Sequence, residues 1–109
     1  LGAEDSVEWH YFPKTEDALQ QLKNEGFVVL SVEQAKNSLS LISLQLDADK
    51  KYAIVLGNEV KGVQQQVVDM SDGCVELPQY GTKHSLNVSV TAGIVIWDFY
   101  KQMQKWVEL

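Results

Sequence analysis

The chain has 109 residues, with nine basic and fifteen acidic side chains and a formal net charge of -6. All nine basic residues are lysines, so the chain contains no arginine. Arginine is the preferred ligand of phosphate groups, and phosphate neutralisation dominates nucleic-acid affinity, so this composition argues against an isolated DNA or RNA binder. The length fits one domain, and an apolar content of 45% is typical of a folded globular chain.

Cysteine content and the lack of long apolar runs bear on the compartment. Cys74 is the single cysteine and can form no internal disulfide, which fits a reducing environment. No run approaches the ~20 apolar residues of a membrane helix, and no signal peptide is recognisable at the front. We therefore predict a cytoplasmic chain without membrane association. Because it begins with Leu1 rather than methionine, we expect it to be a piece of a longer polypeptide or a processed product.

The first part of the chain has the pattern of a strand, a helix and a second strand. Residues 8–12 are an aromatic stretch ended by Pro13 and predict a strand. Thr15 offers an N-cap for a helix with acidic residues in its first turn and Gly26 as its stop signal. Residues 27–32 form a continuous apolar, β-branched run, which is typical of a strand buried on both faces of a parallel sheet.

The middle of the chain repeats the strand and helix pattern. Residues 33–46 show mixed alternation and are interpreted mostly as loop. A buried strand is predicted at residues 52–56, a helix at residues 63–70 and a short strand at residues 74–77. The class is therefore α/β with a mostly parallel sheet, in one domain that spans the chain.

The last segment, residues 85–109, is rich in β-branched side chains, which favour a strand. However, about twenty residues without proline are too long for a typical strand, so we predict a helix. One helical face carries Leu86, Val90, Gly93, Ile94, Trp97 and Lys101. A β-branched helix is weak alone, so we expect burial on most of its sides.

Two loops follow predicted strands and precede predicted helices, which is where α/β folds place ligands. Residues 57–62 have glycine at both ends, which allows close backbone approach to a ligand, but they lack the lysine and Ser/Thr of a phosphate loop. Residues 77–87 carry seven hydrogen-bonding side chains, and the two loops side by side would form one pocket. The alternatives are an ordinary strand-to-helix turn for the first loop and mere helix capping by Ser85 or Asn87 for the second.

Other kinds of site lack the required residues. His10 and His84 with one cysteine are too few for a zinc site of known spacing, so no metal is expected. His84 stands beside Ser85, but no strand-turn nucleophile elbow surrounds them.

The two loops lie within longer motifs. Residues 54–63, IVLGNEVKGV, and residues 76–90, ELPQYGTKHSLNVSV, closely resemble the second and third signature motifs of the SpoU (TrmH) family of RNA 2'-O-ribose methyltransferases, in the SPOUT superfamily. The likeness includes the gap between the motifs and, more weakly, residues 8–32. It implies an α/β-knot fold, in which the C-terminal segment is threaded through a loop into a trefoil knot, a rare topology.

The resemblance also implies a cofactor, a set of site residues and an assembly. Family members hold S-adenosylmethionine in the knot loops, mostly by main-chain groups. The positions that would bind it here are Leu56, Gly57, Gly62, Leu77, Gln79 and Leu86. Catalytic positioning groups near the transferred methyl would be Glu59, Ser85 and Asn87. The family resemblance further implies a homodimer packed through the last helix.

The family's first motif, with Asn, Gly and Arg, has no counterpart, because the chain contains no arginine. We therefore expect an N-terminally truncated SpoU domain that lacks the first strand of its sheet. The parent protein would methylate a ribose 2'-hydroxyl of tRNA or rRNA, and this cofactor-binding part would be inactive alone. The alternative is a non-catalytic module that binds S-adenosylmethionine or dimerises. A third interpretation, a structural α/β domain without a ligand, is opposed by the length of the two motifs.

Overall fold

The computed structural model describes residues 7–58, 60–78 and 87–104. Within these ranges the elements are α1 (Thr15–Asn24), β1 (Phe27–Val32), β2 (Leu39–Ser40), β3 (Lys51–Val55), α2 (Gln65–Met70), β4 (Gly73–Glu76) and α3 (Val88–Met103). The strands form one parallel sheet in the order β2-β4-β1-β3. The predicted α/β class with a parallel sheet is confirmed.

The sheet is covered on both faces, and β1 contributes to both layers. Consecutive strand residues point to opposite faces, so Val29 and Leu30 lie in different clusters. The cluster shared with β4 and α3 contains Leu30, Leu41, Val75, Val95 and Phe99. The cluster shared with α1 and α2 contains Leu19, Val29 and Val67. This double burial accounts for the apolar character of β1, which Ser31 alone interrupts.

Residues 8–12 form no strand, so that prediction is wrong. Trp9 and Tyr11 are exposed there. The edge strand β3 pairs only with β1 among the described strands. Strand propensity chiefly measures packing against neighbouring strands, and this segment has no such neighbour in the described ranges.

The predicted helix between residues 15 and 26 is confirmed with a shifted cap. Lys14, not Thr15, occupies the N-cap position, and it makes no side-chain capping bond. Glu16 and Asp17 lie in the first turn, where the helix dipole favours acidic groups. Beyond the end of α1, Gly26 has a φ of 88°, the left-handed conformation that commonly follows a helix.

Helix α3 confirms the choice of helix over strand for the last segment. Gln102 fixes it to the loop after β2, because its Oε1 accepts from the Leu46 amide at 2.8 Å and its Nε2 donates to the Leu44 carbonyl at 3.0 Å. The predicted trefoil knot involves the connection between β4 and α3. Residues 79–86 of that connection lie outside the described residues, so the knot stays a prediction.

Candidate functional site

A cleft of about 310 Å³ opens where β1, β3 and β4 end. Its lining includes Glu33 after β1, Leu56 and Gly57 after β3, Leu77 after β4 and Val88 at the start of α3. The carboxyl ends of parallel strands meet at one edge, which brings these sequence-distant residues together. The first loop, the start of the second loop and the first residue of α3 thus border a single cleft.

The Gly57–Gly62 loop, here called the cleft turn, is closed by its own hydrogen bonds. The Gly62 amide donates to the Asn58 carbonyl at 3.0 Å. The Asn58 side-chain oxygen accepts from the amides of Val60, at 2.9 Å, and Lys61, at 2.6 Å. These three hydrogen bonds within the loop give the turn a defined shape without a ligand.

Gly57 is required by the close approach of the two ends of the cleft turn. A Cβ atom at this position would overlap the carbonyl carbon of Gly62 and the amide nitrogen of Val63. Sequence reasoning assigned the glycine to backbone approach toward a ligand, whereas the structure shows the turn's own backbone in that space. Gly62, with a φ of 66°, is a second position that favours glycine.

Glu33 is a cleft residue that the sequence reasoning missed. Its Oε2 accepts from the Val63 amide at 2.9 Å, and its Oε1 accepts from the Gln34 amide at 3.1 Å. The available signal was its position, because an acidic residue directly after a buried parallel strand lies at the ligand-binding edge of the sheet. It fell in the segment interpreted mostly as loop.

The cleft contains a second carboxylate and influences a nearby thiol. Glu76 lines the cleft, and its Oε1 accepts from the Ser38 hydroxyl at 3.2 Å. Cys74, on β4, is 8% exposed. Burial raises the pKa of its thiol, and the negative charge of Glu33 raises it further. The Cys74 sulfur therefore stays protonated at neutral pH.

The structure places four predicted cofactor residues on the cleft: Leu56, Gly57, Gly62 and Leu77. The remaining two, Gln79 and Leu86, lie outside the described residues, as do the predicted positioning residues Glu59 and Ser85.

Asn87 is described and caps helix α3. Its side-chain oxygen accepts from the Val90 amide at 3.1 Å, and its backbone is extended, as expected of an N-cap. The structure therefore shows that Asn87 caps α3. The cap uses the oxygen and leaves the NH₂ group without a partner among the described residues, so a second role toward a substrate stays a prediction.

Metal binding and membrane insertion find no support in the described part of the chain. No three His, Cys, Asp or Glu side chains there lie close enough together to hold a metal ion. No helix in the described ranges is long and apolar enough to cross a membrane.

Helix α3 presents two apolar faces with different surroundings. Val95 and Phe99 point into the core. The outer face, defined by Val90, Ile94, Ile96, Trp97 and Tyr100, is 40% to 60% exposed. Trp97 and Tyr100 stack on one another with ring centroids 5.8 Å apart. The helical face predicted from the sequence lies here, away from the sheet, so burial on most sides is not achieved within the described residues of one chain.

The sequence matches the model of the SpoU rRNA Methylase family over residues 1–97. The chain belongs to this family. It is 32% identical, over 103 residues, to the tRNA (guanosine(18)-2'-O)-methyltransferase of Aquifex aeolicus, covering 92% of this chain and 48% of that relative. The chain thus spans about half the length of this curated relative.

Solved structures agree with the family assignment. The crystal structure of the A. aeolicus TrmH/SpoU tRNA modifying enzyme matches with a TM-score of 0.81 and 31% identity, over 93% of this chain and 50% of that one. The AdoMet-bound rRNA methyltransferase of Sinorhizobium meliloti shares the fold with a TM-score of 0.72 and 23% identity, over 84% of this chain and 34% of that one.

Proposed function

We propose that this SpoU-family chain binds S-adenosylmethionine in the cleft, as part of a protein that methylates a ribose 2'-hydroxyl of tRNA or rRNA. The observation that carries the proposal is that the motif residues Leu56, Gly57, Gly62 and Leu77 line one cleft in a chain that matches the family over residues 1–97.

The cleft has the size and chemistry for such a ligand. Its volume of about 310 Å³ lies at the lower end of the ~300–1,000 Å³ found for small-molecule sites. The ends of parallel strands present main-chain groups to a ligand, and Gly57 lets the two ends of the cleft turn close against each other beside the cleft. Because the cleft turn is closed by its own hydrogen bonds, this turn loses little conformational entropy when a ligand binds.

The proposed reaction needs positioning more than covalent help. S-adenosylmethionine would supply an electrophilic sulfonium methyl. Its transfer to the ribose 2'-oxygen would break the methyl–sulfur bond and leave S-adenosylhomocysteine, and the hydroxyl proton would pass to a base, a role that the family assigns to the arginine of its first motif. Holding the hydroxyl oxygen in line with the methyl supplies most of the acceleration. In this proposal the cofactor is held by Leu56, Gly57, Gly62, Leu77, Gln79 and Leu86. The groups that position the reacting atoms are Glu59, Ser85 and Asn87.

The lack of arginine bears on whether this chain is catalytic by itself. The family assigns deprotonation and phosphate anchoring to the arginine of its first motif, and this chain has none. We therefore propose that the 109-residue chain transfers no methyl group to RNA by itself. The same observation favours the second candidate, a non-catalytic module that binds S-adenosylmethionine and dimerises.

Calorimetry with S-adenosylmethionine and a transfer assay with labelled methyl groups test both candidates. Cofactor binding by the chain, with RNA methylation by the full-length protein but not by the chain, supports the enzyme. Binding without methylation by the full-length protein supports the module. If the full-length protein binds no S-adenosylmethionine, both proposals are wrong.

We also propose that the outer face of α3 is the contact surface of a homodimer. The helix has sixteen residues, so it is about 24 Å long. Large exposed apolar patches mark contact surfaces, and tryptophan and tyrosine are enriched among residues that dominate interface energies. Lys101 is the single charged residue on this side of α3, which fits the depletion of charge at interface centres.

A further inference from the structure

Glu33 connects three strand ends of the sheet at the cleft. It directly follows β1, and its amide donates to the Val75 carbonyl on β4 at 3.1 Å. Its carboxylate accepts from the amide of Val63, which directly follows the cleft turn and lies 30 residues away along the chain. One residue thus ties the central strand to both neighbouring segments that border the cleft.

The backbone of Gly62, at the end of the cleft turn, is packed between Glu33 and Gly57. A Cβ atom at residue 62 would overlap Oε2 of Glu33, and a Cβ atom at residue 57 would overlap the backbone of Gly62. The Gly62 backbone therefore has a carboxylate on one side and the Gly57 Cα on the other. A shift of the Glu33 side chain would remove one of the two contacts that set the position of the turn.

The bond from Val63 to Glu33 is stronger than an ordinary loop hydrogen bond. Its acceptor is a carboxylate, and charge-assisted bonds are roughly twice as strong as neutral ones. No lysine forms an ion pair with Glu33 in the described part of the chain, so its contacts there are to backbone amides. By accepting from the amides of Gln34 and Val63, the carboxylate fixes the position of the backbone at both residues.

We infer that Glu33 is a positioning residue that holds the Gly62–Val63 end of the cleft turn in the arrangement that binds S-adenosylmethionine. The inference rests on the proposed function for the identity of the ligand. The hydrogen bond between Val63 and Glu33, on which it is argued, is present without a ligand. Glu33 acts through the turn, and no contact between its side chain and the cofactor is required.

The test compares Glu33→Ala and Glu33→Gln with Glu25→Gln, which removes an exposed carboxylate next to α1, away from the cleft. Amide hydrogen exchange and the amide proton shift of Val63 are measured by NMR without ligand, and S-adenosylmethionine affinity by calorimetry. In Glu33→Ala we expect about tenfold faster Val63 exchange and about tenfold weaker cofactor binding. Glu33→Gln keeps one acceptor oxygen for Val63, so both quantities should return to within about threefold of the wild type. Glu25→Gln should match the wild type.

Unchanged Val63 exchange and cofactor affinity in Glu33→Ala would overturn the inference, as would equal losses in Glu33→Ala and Glu33→Gln, since these indicate a charge effect. If Glu33→Ala does not fold, the Val63 proton shift in Glu33→Gln decides: it should move upfield on loss of the charged acceptor, and no movement overturns the inference. If the wild type binds no S-adenosylmethionine, the proposed function fails, while the Val63 measurements still decide whether Glu33 holds the turn.

Discussion

Gly57 and Gly93 stand in two regions of the chain with opposite surroundings. At Gly57, in the cleft turn, a Cβ atom would overlap the Gly62 backbone. At Gly93, on the outer face of α3, no heavy atom beyond the helix's own nearby backbone lies within 4 Å of the corresponding position. Trp97, one turn further along α3, is 60% exposed. The cleft turn is shaped by contacts within one chain, whereas the outer face of α3 carries large apolar groups that stay 40% to 60% exposed in the described chain.

Gly57→Ala should have the largest effect. The added methyl group would push the two ends of the cleft turn apart, and overpacking of this kind costs ~1–3 kcal/mol or more. We expect S-adenosylmethionine affinity to fall by about a hundredfold, measured by calorimetry, with a lower melting temperature. Wild-type affinity in this variant would mean that the cleft turn does not shape the cofactor site.

Trp97→Asp should come next, and it tests the outer face of α3. A buried interface tryptophan contributes about 2 kcal/mol or more, so the dimer should weaken by about thirtyfold or more in analytical ultracentrifugation. Trp9→Asp is the matched control, because Trp9 is also exposed, at 70%, but lies outside α3. A dimer weakened equally by both changes, or a monomeric full-length wild type, would argue against the proposed interface.

Replacing Cys74, on β4 near the cleft, should have a smaller effect, which appears in the pH dependence of the free energy of unfolding. Its pKa is raised in the folded chain, so the unfolded chain loses the thiol proton first as the pH rises. Stability from this group is therefore fully present below the ordinary thiol pKa and is lost as the pH rises above it. We expect the free energy of unfolding to fall more steeply above about pH 9 in the wild type than in Cys74→Ala, measured by urea denaturation.

Glu33→Gln is the control for the Cys74 prediction. It removes the smaller of the two causes of the raised pKa and should reduce the difference between wild type and Cys74→Ala without abolishing it. Equal slopes in the wild type and Glu33→Gln, with a shallower slope in Cys74→Ala, would show that the thiol does not feel the cleft carboxylate.

Gly93→Ala should have the smallest effect, with a sign opposite to that of Gly57→Ala. Alanine in the middle of an exposed helix is favoured over glycine by about 0.5–1 kcal/mol. At concentrations where the chain is monomeric, we expect a slightly higher melting temperature by circular dichroism. A lower melting temperature would show that the backbone at residue 93 is closely packed after all.

The local sequence pattern correctly predicted β1 and α1, whose own residues indicate how they are buried and where they end. The mostly apolar sequence of β1 indicated burial on both faces, and the acidic first turn of α1 and the glycine after it indicated the two helix ends. The same reasoning failed at residues 8–12, where aromatic side chains favour a strand but no pairing partner is present among the described strands.

The candidate site was predictable in part. The motif resemblance located Leu56, Gly57, Gly62 and Leu77, and all four line the cleft. It did not find Glu33, because the importance of that carboxylate depends on an amide 30 residues away. Sequence spacing alone contains no record of such a contact.

The sequence by itself determined the parallel α/β class, because hydrophobic periodicity expresses local requirements of strands and helices. The family and the two motif loops came from the resemblance of residues 54–63 and 76–90 to the SpoU motifs. Only the tertiary structure decided which atoms fill the space beside Gly57, which carboxylate holds the cleft turn and which face of α3 enters the core. Those features depend on how distant segments meet. Apolar side chains of similar type occupy both faces of α3, and only packing against the sheet distinguishes Val95 and Phe99 from Ile94 and Trp97.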